Sequence, residues 1–163
     1  MQKIGKGNFT SAYLKKDGRV LLKSRDKVKA CMSERFFPKS KLFPKIKRVY
    51  WHEWENILED ITVYEMKYYP KLTKPSQQLN YKHYRLYKLL RNVRATTRED
   101  LMQEFRKLPV ENYIISALCE AVNAISNYDC NVVFEISPRN VSYTPSGRLI
   151  LLDCFFIYSD IRR

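Results

Sequence analysis

Up to Tyr69 the apolar positions of this chain recur mostly at every second residue; beyond Pro70 they recur every three or four. The first pattern predicts strands and the second helices, because side chains alternate across a strand but return to one helix face after about 3.6 residues. Ile4 opens a glycine-punctuated strand and turn, Asp17-Gly18 marks a hairpin, and Arg19–Lys23 is the following strand. Ser24 to Phe37 reads as a short helix with Val28, Cys31, Met32 and Arg35 along one side. Ile46–Trp51 and Ile61–Lys67 are strand candidates on either side of an acidic turn, Glu53 to Asp60. Tyr68-Tyr69-Pro70, followed by Pro75, reads as a linker.

The second half is helical until its last thirty or so residues. Tyr81, Tyr84, Tyr87 and Arg91 mark one helix, whose other positions include the basic Lys82, Arg85 and Arg94. Thr97, with Asp100 three residues on, resembles a capping box that opens a helix carrying Leu101, Met102 and Phe105. Val110–Tyr128 is the clearest amphipathic segment, with Ile114, Leu118, Val122 and Ile125 on one face. Short apolar strands return at Val132–Phe134 and Leu149–Leu152, around a turn at Pro145-Ser146-Gly147. A sheet, then helices, then a late hairpin is an α+β order, with a cleft expected where two lobes, residues 1–69 and 70–163, meet.

Charge sharpens this picture. The chain of 163 residues carries a net charge of +13, and residues 1–50 alone hold +12 of it. Such a pole attracts polyanions, whether acidic proteins, nucleic acid or nucleotide phosphates, or it simply solvates a face. The interleaved tyrosines and cations from Tyr81 to Arg94 would suit stacked bases, but a helix that buries its tyrosines and solvates its charges is the preferred reading. Four scattered cysteines (Cys31, Cys119, Cys130 and Cys154) and two histidines show no metal-ligand spacing. Cys119 and Cys154 look like small core residues, and a reducing cytoplasm fits best. With no membrane-length apolar run and no signal-peptide core at the start, a soluble protein is expected.

Three places carry chemistry. In Gly5-Lys6-Gly7-Asn8-Phe9, glycines between two strands let backbone N–H groups approach phosphates, though these letters alone favour a plain hairpin turn. Alternation puts Leu21 and Lys23 on one face of their strand, where the leucine would pack on a base and the lysine meet phosphates. The third and decisive place is Glu135-Ile136-Ser137-Pro138-Arg139-Asn140, followed by Gly147 and then Leu151-Leu152-Asp153. Phosphoryl transfer needs hard oxygen donors that hold metal ions, which Asn140 and Asp153 supply, and Glu135 could sit beside an incoming hydroxyl.

These residues, in this order, resemble a protein kinase, and specifically the kinase domain made early in infection by short-tailed coliphages. The glycine loop of that family matches Gly5, Gly7, Phe9, Ala12 and Tyr13, and the kinase lysine matches Lys23. The resemblance makes Glu135 the catalytic acid position, Asn140 and Asp153 the Mg²⁺ ligands, and Gly5, Gly7, Phe9, Leu21 and Lys23 the ATP contacts. It implies a two-lobed kinase-like fold with a small β-rich N-lobe and a truncated helical C-lobe bearing a late β-hairpin. The implied cofactors are ATP and Mg²⁺, and the implied setting is the cytoplasm of an infected host, acting on host proteins.

The chain also departs from that family. Glu135 stands where kinases have Asp, Ser137 where they have Lys, and Asp153-Cys154-Phe155 where they have Asp-Phe-Gly. Only ten residues follow Asp153, so no activation segment is expected. Glu34 is the candidate acid for Lys23. An active minimal kinase therefore stands beside a pseudokinase that binds a host protein, one with an acidic surface, directly; nucleic-acid binding is the weaker third reading.

Overall fold

A computed structural model describes the chain except for Asn8, His52, Glu53, residues 55–58, Asp129, Cys130 and residues 158–163. Most of the expected acidic turn therefore lies outside the described residues, as do His52 and Cys130. The protein is mixed α+β and divides into two compact units, Met1–Arg35 with Pro44–Tyr68, and Phe36–Phe43 with Tyr69–Arg163.

The first unit is an antiparallel five-stranded sheet with strands β1 (Gln2–Lys6), β2 (Thr10–Leu14), β3 (Arg19–Ser24), β4 (Lys47–Val49) and β5 (Thr62–Lys67), in the order β1-β2-β3-β5-β4. The β2–β3 connection turns at Gly18, whose φ of 84° only glycine adopts without strain. Central β3 buries Val20, Leu21, Leu22 and Ser24, so both of its faces are covered. One helix, α1 (Lys27–Met32), follows β3. It is shorter than expected: Ser24 still belongs to the strand, Asp26 accepts the Val28 N–H as N-cap, and Ser33 closes the last turn.

The first helical element of the second unit is a single turn, α2 (Pro75–Gln78), where a linker was expected; Pro75 starts this turn because a first-turn residue needs no N–H. Three longer helices follow: α3 (Tyr81–Arg91), α4 (Arg98–Arg106) and α5 (Asn112–Ile125). Thr97 caps α4 by accepting the Asp100 N–H, as its position suggested. Four short strands close the chain: β6 (Val132–Phe134), β7 (Val141–Tyr143), β8 (Leu149–Leu151) and β9 (Phe155–Ile157). They pair as β6·β9 and β7·β8, both antiparallel. Phe105 of α4, Phe134 of β6 and Phe155 of β9 pack with centroids 5.0 and 5.1 Å apart, pinning the outer ribbon to the helices. Burial on this scale contributes about 1.5–3 kcal/mol per large side chain. Among the described residues no helix is long and apolar enough to cross a membrane.

Candidate functional site

The β7–β8 turn is fastened to the start of α3. Gly147 has a φ of 81°, and its carbonyl accepts the Asn80 N–H at 2.9 Å. Asn80 in turn caps α3, its Oδ1 accepting the His83 N–H at 2.9 Å. Further along, the hydroxyl of buried Ser142 donates to the Pro70 carbonyl, tying β7 to the segment before α2. The hairpin is thus held from both sides.

At its open end the two expected metal-ligand positions come together. The Asn140 carbonyl accepts the N–H groups of Leu152 and Asp153, each at 3.0 Å, and the Cys154 thiol donates to the same oxygen at 3.3 Å. The Glu135 N–H donates to the Cys154 carbonyl at 2.9 Å. Asn140 itself ends a turn in which its N–H bonds the Ser137 carbonyl. Glu135, Asn140 and Asp153 therefore gather where the β6·β9 and β7·β8 ribbons meet; Glu135 is exposed, the other two partly so. Cys154 is the small core residue its apolar surroundings predict, and more. It is buried at 2% exposure, yet its thiol helps fix Asn140, and its place next to Asp153 was the available signal.

The donor chemistry at this junction fits magnesium. Mg²⁺ usually takes one or two protein oxygens and completes its shell with phosphate and water. Asn140 and Asp153 offer one amide and one carboxylate oxygen donor. Among the described residues no group of three or more His, Cys, Asp or Glu could hold a metal ion by itself.

The remaining expected contacts lie in the first unit. Lys23 sits on β3 directly opposite Ser11 and Val63 and is partly exposed. It makes no ion pair with a described acid; Glu34 is exposed beyond the end of α1. Glu65 of β5 is engaged with other cations: Lys15 at 3.0 Å and Arg19 at 2.6 Å hold its carboxyl below the usual range. Leu21 is fully buried, and Tyr13 opposite it has its ring 4.6 Å from that of Trp54. Phe9 is tied to the end of β3, its carbonyl accepting the Arg25 N–H and its ring lying 5.6 Å from the Arg25 guanidinium.

Gly5 and Gly7 are exposed, and neither has a positive φ. An added Cβ would come no closer than 3.9 Å at Gly5 and 3.8 Å at Gly7. The fold itself therefore has no steric need for glycine at either position, unlike Gly18 and Gly147.

Helix α3 corrects the expectation that its tyrosines are buried. Leu86, Tyr87 and Leu90 form its buried face, while Tyr81 is 86% exposed. Lys88 lies 4.6 Å from the Tyr84 ring, Arg91 5.6 Å from Tyr87, and Lys82 5.2 Å from Tyr113. Tyr84, Tyr87 and Tyr113 thus each have a cation of their own chain over one face. Of the two cysteines expected in the core, Cys154 is buried and Cys119 only partly so; Cys31 is also buried. No protein-family model matches the chain, and no curated protein is significantly similar to it.

Proposed function

We propose that this protein is a minimal, phage-type kinase-like protein that binds ATP with Mg²⁺ and transfers phosphate to host proteins in the infected cytoplasm. One observation carries the reading: backbone hydrogen bonds bring Asn140 beside Asp153, through the Asn140 carbonyl, and Glu135 beside Cys154, through the Cys154 carbonyl. An ordinary surface loop has no reason to collect an acid, an amide and a second acid at one junction. The exposed, unstrained Gly5 and Gly7 add support, since glycine there serves close approach of a ligand better than it serves the fold.

In this reading Asn140 and Asp153 hold the ion, which when bound neutralises charge on the phosphates. Glu135 accepts the proton of the incoming hydroxyl, Lys23 contacts phosphate, and Gly5, Gly7 and Phe9 belong to the nucleotide's surroundings, whereas Leu21, fully buried, has no surface to offer a base. Glutamate reaches about 1 Å further than aspartate, and a displacement of that size lowers a rate by roughly 10²-fold. Binding is therefore expected to exceed catalysis in strength. Incubation with γ-labelled ATP, Mg²⁺ and a host lysate tests the transfer. Label should reach protein with the intact chain and disappear in Asp153→Ala; label that is absent, or unaffected by the substitution, contradicts it.

A further inference from the structure

Segment 36–43 leaves the first half of the sequence to join the second unit. The Leu42 carbonyl accepts the Leu151 N–H at 2.7 Å, and the Arg148 guanidinium donates to the Lys41 carbonyl at 3.0 Å. Phe37 and Phe43 are buried, their rings 5.1 Å apart. A groove of about 520 Å³ opens along this segment, lined also by α3, α5 and the residue preceding β8. That volume lies within the range that ordinary ligand sites occupy.

Its composition is ordered. Buried Leu42, Ile114 and Ala117 give it an apolar floor. Lys39, Lys41 and Arg148 stand at its rim against a single acid, Glu120, and none of these cations pairs with an acid among the described residues. His83 adds a polar donor: its Nδ1 accepts the Leu149 N–H at 3.0 Å, so the neutral ring carries its proton on Nε2. We propose that this groove is a docking site for an acidic peptide segment of a partner protein, one apolar side chain entering the floor and flanking carboxylates meeting the rim. The charge balance selects an anion, and the apolar floor selects a peptide over free phosphate. Nucleic acid fits poorly, because Tyr113, the aromatic side chain of the lining, already faces Lys82. The site shares none of the proposed nucleotide contacts and stands or falls separately from them.

The probe is a short fluorescein-labelled peptide of aspartates and glutamates around one leucine, read by anisotropy with the full chain. Binding should weaken by about tenfold in the exposed double variant Lys39→Glu/Lys41→Glu, and similarly when the peptide leucine becomes serine. Glu120→Lys should tighten it, a gain that a damaged fold does not produce. The ATP-induced change in melting temperature should be the same in all three chains, which separates this site from the nucleotide reading. No binding, binding indifferent to the reversals, or displacement of the peptide by a single-stranded oligonucleotide of equal charge would overturn the proposal.

Discussion

Replacing Gly147 by alanine should be among the costliest single-methyl changes this chain can suffer. The new Cβ would lie 2.7 Å from the Asn80 nitrogen and 3.4 Å from its Cα, backbone atoms that cannot swing aside as a side-chain tip would. An L-residue at a φ of 81° costs roughly 1–2 kcal/mol by itself. Moving Asn80 then weakens both its bond to the Gly147 carbonyl and its cap on α3, each worth about 1 kcal/mol. Together these give about 3 kcal/mol, or roughly 6–12 °C of melting temperature for a protein of this size. Gly18→Ala isolates the backbone term, because its φ is 84° and nothing lies within 4 Å of an added Cβ; it should lose about a third as much. Gly147→Asn provides a second control at the same site, relieving the left-handed strain but not the clash. Far-ultraviolet circular dichroism melts of the three variants decide the matter. If Gly147→Asn recovers most of the loss, or Gly18→Ala matches Gly147→Ala, the clash with Asn80 is not the dominant cost.

Other consequences are equally measurable. Burial first, then Arg148 and Lys82, hold His83 below its ordinary value, against an opposing pull from Glu111. The unfolded chain thus takes that proton first: the stability from neutral His83 is complete above about pH 6.5 and is lost as pH falls through the folded value. Melting temperatures measured on acidification should fall less in His83→Gln than in the parent; identical slopes would refute the assignment. The Cys31 thiol is pushed up to about 12, chiefly by burial and then by Glu34, so iodoacetamide at about pH 8 should modify it only after unfolding. Peptide mapping that finds Cys31 alkylated in the native protein would contradict its burial. Glu135→Asp should raise phosphate transfer by up to about 10²-fold, and a fall would remove Glu135 from the role of proton acceptor.

The strands and helices with local signals were legible in the letters. Gly18 announced its hairpin, Thr97 its cap, and the four apolar positions on one face of α5 all proved buried. What escaped depends on partners distant in sequence. Strand β9 is three residues long and exists because Phe155–Ile157 pairs with Val132–Phe134, and β7 likewise needs β8. Pro75 was a breaker by its letter but a first-turn residue in place. Tyr81, Tyr84 and Tyr87 fit a helical period yet only Tyr87 is buried, because Leu86 and Leu90 set the buried face. The spacing from Glu135 through Asn140 to Asp153 was readable in advance. The backbone bonds that join Asn140 to Asp153 and Glu135 to Cys154 were not, since main-chain partners leave no pattern in sequence.

Thermal denaturation with and without ATP and Mg²⁺ tests the nucleotide reading most directly. Saturation at about 100 times the dissociation constant should stabilise the fold by about 2.7 kcal/mol, a rise of roughly 5–11 °C. The rise should require magnesium and should vanish in both Lys23→Ala and Asp153→Ala. A melting temperature that ATP and Mg²⁺ leave unmoved, or that both substitutions leave equally raised, would contradict the account.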